Sequence, residues 1–234
     1  MSYRSWGQIA GIALMFGALP VLAQAPPVPQ GFKSIFNGKD LNGWHLSRTV
    51  HHGTTGNVFV DHGEIVLKQR PYGQGGLLLT DKRYKNFELY LEVKLLWGMN
   101  SGLFLRSTEG GSAYQIELFQ GPSNAGLIGE GMAVSKGAQA ADIMNIWKSD
   151  DWNTMHVRMT GDAPHMTLWV NDREVWDVEE PVNDKVADET DGRIGLQLHW
   201  MVTYTKESGN NGMGDAWKPD AELRFRNIAI KELP

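Results

Sequence analysis

Carboxylate and imidazole side chains, which transfer protons near neutral pH, occur here on two segments that alternate polar and apolar residues. Residues 114–119 read YQIELF, and in a β-strand Gln115 and Glu117 would point to one face, two residues apart. Residues 195–199 read GLQLH, which places Gln197 and His199 on one face in the same way. On one shared surface, this acid, imidazole and pair of amides would suit proton transfer and the binding of a polar ligand.

The stretch 87–119 must position several of these groups. It contains FELYLEVKLL, then WGMNSGLFLR, then AYQIELF, and the alternation of apolar and polar residues predicts half-buried β-strands. We expect three adjacent strands with an apolar face toward a core and an opposite face that carries Glu92, Arg106 and Glu117. Such a face is either solvated or a binding surface, and we interpret Glu88 as a solvated strand glutamate.

Turn residues divide the rest of the chain into further short strands. The dipeptides Asn37-Gly38 and Asn42-Gly43 predict turns. Residues 61–63 (DHG) and 171–173 (NDR) predict the turns of two hairpins. Hairpins of this kind favour antiparallel sheets.

Two regions depart from simple alternation. Near Arg226-Asn227 the apolar residues change parity, which predicts a β-bulge. Residues 121–151 are Gly-rich and irregular, with one short helix predicted near 138–147. About a dozen short strands and almost no helix predict an all-β fold, a two-sheet antiparallel sandwich of jelly-roll type.

The first residues have the features of an export signal. Arg4 precedes an apolar run over 9–22, and small residues predict cleavage after Ala23. We therefore expect a signal peptide over 1–23, a Pro-rich tether over 24–30, and one domain over 31–234. This predicts a periplasmic or secreted protein with no membrane association beyond export. An uncleaved anchor is the alternative, although glycines and a proline interrupt the apolar run.

Composition narrows the classes of partner. The net charge is -5 and no cluster of Lys and Arg occurs, which argues against nucleic acid as a partner. The absence of Cys excludes thiol chemistry and suits a domain with a core large enough to need no disulfides. Nine Trp and six Tyr are a high aromatic load, and flat aromatic faces with polar rims are typical of carbohydrate-binding surfaces.

An ordered set of segments resembles the 3-keto-disaccharide hydrolase family. The matching segments are 36–44 (FNGKDLNGW), 61–63 (DHG), 87–93 (FELYLEV), 100–106 (NSGLFLR), 114–118 (YQIEL), 151–153 (DWN), 195–199 (GLQLH) and 225–233 (FRNIAIKEL). The resemblance covers nearly all of the chain after the tether and implies a concanavalin A-like (lectin/glucanase) sandwich whose concave sheet binds sugar. Two departures are the order of acid and amide in YQIE, where the family often has YEVQ, and a longer loop over 201–219.

The resemblance implies cleavage of glycosides whose sugar is oxidised to a ketone at C3. The ketone acidifies the proton at C2, so that its removal gives an enolate, which expels the group at C1 before water adds back. Such a site needs a base, a donor or cation at the ketone oxygen, and an acid at the leaving oxygen. We predict His199 as the base, Glu117 as a further acid or base, and Arg106 as the group at the enolate oxygen. Each residue also has a purely structural interpretation. His199 would form a hydrogen bond to a loop, Glu117 would be exposed on its strand, and Arg106 would form a salt bridge with Glu92 or Glu117.

The remaining predicted contacts concern substrate and metal. The predicted substrate-binding residues are Glu92, Gln115, Gln197, Trp200 and Trp97. A divalent metal held by Glu117 and His199, with Glu92 as a third ligand, would also stabilise an enolate, although no spaced metal motif occurs. No other cofactor is predicted. The pair His51-His52 lies in a Gly/Thr loop and is interpreted as solvated, while His45, His62 and His165 are unassigned.

The expected partner is an oligosaccharide or glycoside, and the sequence predicts no oligomeric state. A non-catalytic carbohydrate-binding module on the same face is the alternative function. A retaining endoglucanase is disfavoured because that class carries E-x-D-x-x-E on one strand, whereas the sequence from Glu117 reads ELFQGP.

Overall fold

The computed structural model describes residues 28–70, 73–96, 99–200 and 221–234. The predicted signal peptide (1–23), most of the tether, Trp97 and the loop over 201–219 lie outside these ranges. Among the described residues, no helix is both long and apolar enough to cross a bilayer.

Strands make up almost half of the described chain. In chain order they are β1 (Lys33–Ser34), β2 (Trp44–Leu46), β3 (Asn57–Asp61), β4 (Glu64–Lys68), β5 (Gly76–Thr80), β6 (Phe87–Leu95), β7 (Asn100–Ser107), β8 (Ala113–Phe119), β9 (Leu127–Glu130), β10 (Trp152–Thr160), β11 (His165–Val170), β12 (Arg173–Glu179), β13 (Arg193–Leu198) and β14 (Leu223–Glu232). One turn of α-helix, α1 (Ile143–Ile146), and a 3-10 helix (Val186–Asp188) complete the secondary structure.

The strands form two antiparallel sheets. The eight-stranded sheet has the order β12-β11-β10-β6-β14-β4-β3, with β1 also paired to β14. The six-stranded sheet has the order β2-β5-β13-β7-β8-β9. The predicted all-β sandwich is confirmed.

Alternate side chains of each sheet fill the space between the two. On β6 the inward residues include Leu89 and Leu91, and on β8 they include Tyr114 and Ile116; all four are fully buried in one core. Burying an aliphatic side chain of this size stabilises the fold by about 1.5–3 kcal/mol. The period-two pattern of the sequence therefore identified the core-facing residues of these strands.

The expectation of three adjacent strands over 87–119 is wrong. β6 lies in the middle of the eight-stranded sheet, whereas β7 and β8 pair in the six-stranded sheet. The reason is that alternation gives the face of each residue but carries no information about which strands are neighbours. Glu92 on β6 and Glu117 on β8 are consequently on different sheets.

Local features follow the sequence more closely. The hairpin of β3 and β4 turns at residues 61–63. A register shift between Arg226 and Ala229, with Asn227 at a φ of 52°, confirms the predicted bulge. The region over 121–151 contains the predicted short helix as α1, but it also contains β9, which the sequence did not predict.

A loop covers part of the outer face of the six-stranded sheet. Val50, in the loop over 47–56, is buried against outward side chains of three strands. This second, smaller apolar cluster consists of Val50, Leu77, Leu79, Phe104 and Ala113. The loop is thereby fixed above β5, β7 and β8, and the next residues along it are His51 and His52.

Candidate functional site

The outer face of the six-stranded sheet gathers polar residues from neighbouring strands. Glu117 on β8 is paired with Gly102 on β7, and Gln115 is paired with Phe104. On the other side of β8, Ala113 is paired with Glu130 of β9, which gives Glu130 the same outward parity as Gln115 and Glu117. The predicted shared face of Gln115 and Glu117 is therefore present, with a second carboxylate beside it.

The loop over 47–56 places two histidines against this face. Nε2 of His51 lies 3.1 Å from Oε1 of Glu130, and Nε2 of His52 lies 3.5 Å from the same oxygen. The amide nitrogen of Gln197 on β13 lies 2.9 Å from Nε2 of His52. His52 is almost completely buried, whereas His51 is more than half exposed.

His199 follows β13 and joins the same group. Its ring centroid lies 5.4 Å from that of His52, and on its other side it stacks on Trp200 at 5.8 Å. The buried side chain of Gln69 donates a 2.8 Å hydrogen bond to the main-chain oxygen of His199, which fixes the position of this residue. We call the following residues the polar cluster: His51, His52, Gln115, Glu117, Glu130, Gln197 and His199.

Two glycines make room for the cluster. A Cβ atom at Gly75 would lie 2.3 Å from the main-chain oxygen of His52 and 2.5 Å from that of Leu198, so only glycine lets the loop approach β13 this closely. A Cβ atom at Gly102 would lie 2.5 Å from the amide nitrogen of Gln115. The missing side chain at Gly102 thus lets the amide of Gln115 lie directly against β7.

The two carboxylates of the polar cluster differ in proton affinity. Burial, and then the nearby charge of Glu130, raises the pKa of Glu117 above its usual value. Burial alone would raise the pKa of Glu130 as well, but a hydrogen bond from His52 and the charges of the nearby histidines outweigh it and lower that pKa. Two neighbouring carboxyl groups shifted in opposite directions are typical of an acid and a base with separate roles.

Three buried polar atoms of the polar cluster have no hydrogen-bond partner within the described part of the chain. They are Oε1 of Gln115, Oε1 of Gln197 and Nδ1 of His52, and each side chain is at most 4% exposed. Because leaving a buried polar atom unpaired costs about 1–3 kcal/mol, their convergence on one face indicates a site for a ligand.

Arg106 lies away from the polar cluster. Its φ of 50° turns the fully buried side chain out of the strand's alternation. The guanidinium donates to the main-chain oxygens of Lys85 and Gly161, each at 2.9 Å, in loops of the other sheet. Burial lowers its pKa to about 10. The expected position beside Glu117 is therefore wrong, and so is the expected ion pair with Glu92 or Glu117; Arg106 ties the two sheets together.

Glu92 is also remote from Glu117. On the outer face of the eight-stranded sheet it is almost fully buried, with Oε2 2.7 Å from Nε of Arg226 and Oε1 2.6 Å from Nδ2 of Asn227. These bonds occupy both carboxylate oxygens, so the expectation that Glu92 joins Glu117 in binding substrate or metal is wrong. Trp200 stands at the edge of the polar cluster, 43% exposed, and Trp97 lies outside the described residues.

Sequence reasoning missed His51, His52 and Glu130. The two histidines were interpreted as solvated because a loop has no periodicity to show which sheet it crosses. Glu130 ends a four-residue strand within a Gly-rich region. The one available signal was the adjacent pair of histidines, two metal-binding and proton-transferring side chains, next to a glycine that permits a close approach.

The opposite side of the same loop borders a separate cavity of about 700 Å³, lined by His45, Arg48, Thr49 and Glu109 among others. Its charged groups already bind one another: His45 contacts Asp81 through Nδ1 at 2.5 Å and Glu109 through Nε2 at 3.0 Å. The polar cluster, with its unpaired buried atoms, is therefore the better candidate for chemistry.

Comparison with known proteins fits this geometry. Residues 31–231 match the model of the 3-keto-alpha-glucoside-1,2-lyase-like domain. The chain belongs to this family. The matched range contains every residue of the polar cluster, and the resemblance seen in the sequence is confirmed.

One curated relative is similar in sequence to this chain. A 3-keto-disaccharide hydrolase from Bacteroides thetaiotaomicron is 33% identical over 89 residues, which are 37% of this chain and 31% of the relative. The match thus spans about a third of the relative's length.

The solved structures show the fold. A Parabacteroides distasonis protein, provisionally assigned to the glycosyl hydrolases, has a TM-score of 0.57 at 20% identity, covering 87% of this chain and 95% of its own. The carbohydrate-binding module CBM66 from Bacillus subtilis has a TM-score of 0.53 at 13% identity, covering 81% and 96%. Both proteins thus share this sandwich, and at these identities the likeness shows the fold alone.

Proposed function

We propose that this protein cleaves the glycosidic bond of 3-keto-glycosides, including 3-keto-disaccharides, by removing the proton at C2, eliminating the group at C1 and adding water. The observation that carries the proposal is the outer face of the six-stranded sheet, where an imidazole and two carboxyl groups of opposite pKa shift lie together. Family membership and the name of the curated relative support the 3-keto class of substrate.

The residues of the polar cluster have complementary roles in this proposal. His199 takes the proton from C2, and the electron pair moves into the enolate formed with the C3 ketone. The C1–O bond then breaks, and Glu117, protonated more readily than an ordinary glutamate, donates a proton to the leaving oxygen. In the second half, Glu117 accepts a proton from the water that attacks C1, and His199, whose N–H exchanges with solvent, donates a proton to C2. The sum of the two halves is hydrolysis, and both side chains end as they began.

Binding and orientation come from neutral groups. The unpaired oxygen of Gln115 can accept a hydrogen bond from a sugar hydroxyl, and Trp200 offers an aromatic surface for a sugar ring. The enolate oxygen requires a positive group, and Arg106 is too far from the cluster in the fold to supply it. The His51 and His52 side of the cluster is the one that carries cationic or cation-binding groups.

An isotope experiment tests the proposal. The protein is incubated in D₂O with a 3-keto-disaccharide and, separately, with the parent disaccharide that has not been oxidised, and the products are followed by NMR. We expect release of the keto-sugar with one deuterium at C2, and no cleavage of the parent. Equal cleavage of the parent without deuterium at C2 would instead indicate an ordinary glycosidase acting through Glu117 and Glu130.

The same experiment separates an enzyme from a binding module. A module would bind the disaccharide, as measured by calorimetry, but release no sugar. His199→Ala in the polar cluster, compared with His165→Ala on the other sheet, then ties turnover to the site. We expect loss of about 100-fold or more in kcat/KM for His199→Ala and no change for His165→Ala.

A further inference from the structure

We infer that His51, His52 and Glu130 bind a divalent transition-metal ion, with the side-chain oxygen of Gln197 as a fourth ligand. The metal set predicted from the sequence was Glu117 and His199, so the structure moves the ion to the loop side of the polar cluster. One nitrogen from each histidine and one carboxylate oxygen lie within 4.8 Å of one another.

The distances from Glu130 to the two histidines match those between ligands of one cation. Ligand atoms about 2.1 Å from one ion are about 3.0 Å apart at a right angle and about 3.4 Å apart at the tetrahedral angle. The two histidine nitrogens lie 3.1 Å and 3.5 Å from the same oxygen of Glu130. The third separation, between the two histidine nitrogens, is at most 4.8 Å, so a rotation of the exposed His51 ring would bring all three atoms to one centre.

Gln197 supplies an independent observation. It is completely buried, and its Oε1 has no partner in the described part of the chain, while its nitrogen lies 2.9 Å from Nε2 of His52. A half-turn of the amide exchanges the two atoms without moving the rest of the side chain. The oxygen would then face the same point as the two imidazoles and the carboxylate, which gives a buried polar atom its missing partner.

The ligand chemistry identifies the class of ion. Two imidazoles and a carboxylate are typical of zinc and of other first-row divalent metals such as Co²⁺, Fe²⁺ and Ni²⁺, whereas Ca²⁺ and Mg²⁺ prefer oxygen ligands. The exposed side of the site is formed by His51, so a further position faces solvent. If the proposed function is correct, a ketone oxygen bound there would have its enolate stabilised by the ion; the binding of the ion itself does not depend on that function.

Metal binding by the whole protein tests the inference directly. The protein is freed of metal with a chelator, titrated with Co²⁺, and followed by calorimetry and by the visible absorption of the bound ion. We expect one equivalent to bind, and Zn²⁺ to displace it. His51→Ala removes an exposed ligand and should leave the fold intact, and we expect it to raise the Kd by about 100-fold. Glu130→Gln, which keeps the size of the side chain, should have a comparable effect.

The control is His165→Ala, which removes an exposed histidine 2.6 Å from the carboxylate of Asp177 on the other sheet. Its Co²⁺ affinity should equal that of wild type. Undiminished binding by His51→Ala and Glu130→Gln, or no binding by wild type, would overturn the inference. Deuterium incorporation without metal binding would refute the metal site alone, and metal binding without cleavage of any 3-keto-glycoside would refute the proposed function alone.

Discussion

Glu117 and Glu130 are on adjacent strands, yet their surroundings give them opposite tendencies to hold a proton. Glu130 has His51 and His52 as close neighbours, whereas no described side chain is placed to form an ion pair with Glu117. The sequence alone predicts the outward direction of Glu117 on its strand. It does not predict the asymmetry, which arises from His51 and His52, 78–79 positions before Glu130 in the chain.

Replacing Glu117 with glutamine should lower activity and raise stability at neutral pH. As a general acid and base, Glu117 should contribute about 10²–10⁴-fold to kcat on a 3-keto-glycoside. Its pKa is higher in the folded than in the unfolded protein, so the native state binds more protons, and stability is lost as pH rises from the ordinary glutamate value through the folded one. Glutamine does not ionise, so the variant does not lose stability in this way. Thermal unfolding from pH 4 to 8 should show a Tm advantage of Glu117→Gln that grows with pH; a constant or reversed difference would contradict the raised pKa.

Arg106 shows where parity fails at the level of a single residue. A residue with positive φ leaves the alternation of its strand, and nothing in the segment 100–106 marks Arg106 as such a position. The predicted position of Arg106 in the catalytic site is therefore wrong. Gln115, Glu117 and Gln197 lie in regular strand, and for them the prediction of direction holds.

Arg106→Met should therefore impair folding more than chemistry. It leaves the main-chain oxygens of Lys85 and Gly161 without their donor, which we expect to cost about 3 kcal/mol. For a domain of this size the Tm should fall by roughly 6–12 °C. Arg158→Met, at an exposed strand position, is the matched control and should change Tm little. At low temperature, kcat and KM of this variant should be near those of wild type. A lower kcat with an unchanged Tm would instead indicate that Arg106 takes part in catalysis.

At the scale of elements, the strands were easier to predict than their neighbours. Alternation located β6, β7, β8 and β13 and gave their inward faces, but it placed β6 beside β7, although the two belong to different sheets. Strand pairing depends on long-range contacts that no local pattern encodes. For the same reason, the sequence does not predict the position of the loop over 47–56. This loop crosses the outer face of the six-stranded sheet, and its two histidines contact β9.

The pairing of β7 with β8 makes a specific prediction for Gly102. In Gly102→Ala the new Cβ atom would lie 2.5 Å from the amide nitrogen of Gln115 and 2.9 Å from Cε1 of Phe104, so both buried side chains must shift, and we expect the fold to persist at a lower Tm. We expect a KM for the keto-sugar raised about 10-fold, in line with loss of about one hydrogen bond to substrate, with a Tm within a few degrees of wild type.

Gly110→Ala is the control for Gly102→Ala. Its Cβ would have no neighbour closer than 3.9 Å. Both kinetic constants should remain unchanged in this variant. Equal behaviour of the two alanine variants would show that the space beside Gln115 is unrelated to substrate.

At the scale of the whole molecule, β14 occupies the interior of the eight-stranded sheet, between β6 and β4. Leu223, Phe225, Ile228 and Ile230 of this strand are buried. At about 1.5–3 kcal/mol each, they contribute as much as the net stability of a typical domain, about 5–15 kcal/mol.

Deleting residues 222–234 should therefore abolish the folded state. We expect no cooperative thermal transition by circular dichroism and no near-UV signal. Deleting only 233–234, which follow the strand, should retain the transition with a modest loss of Tm. A cooperative transition in the longer deletion would show that the remaining strands can form a stable sandwich by themselves.

The location of β14 also sets an order of events during synthesis. The ribosome makes this strand after β1, β4 and β6, with which it pairs, so the larger sheet cannot close at its centre until residues 223–232 have been made. Until then β4 and β6, which flank β14 in the folded protein, lack the strand that joins them. Translation and folding of this molecule are thus coupled through the position of a single strand.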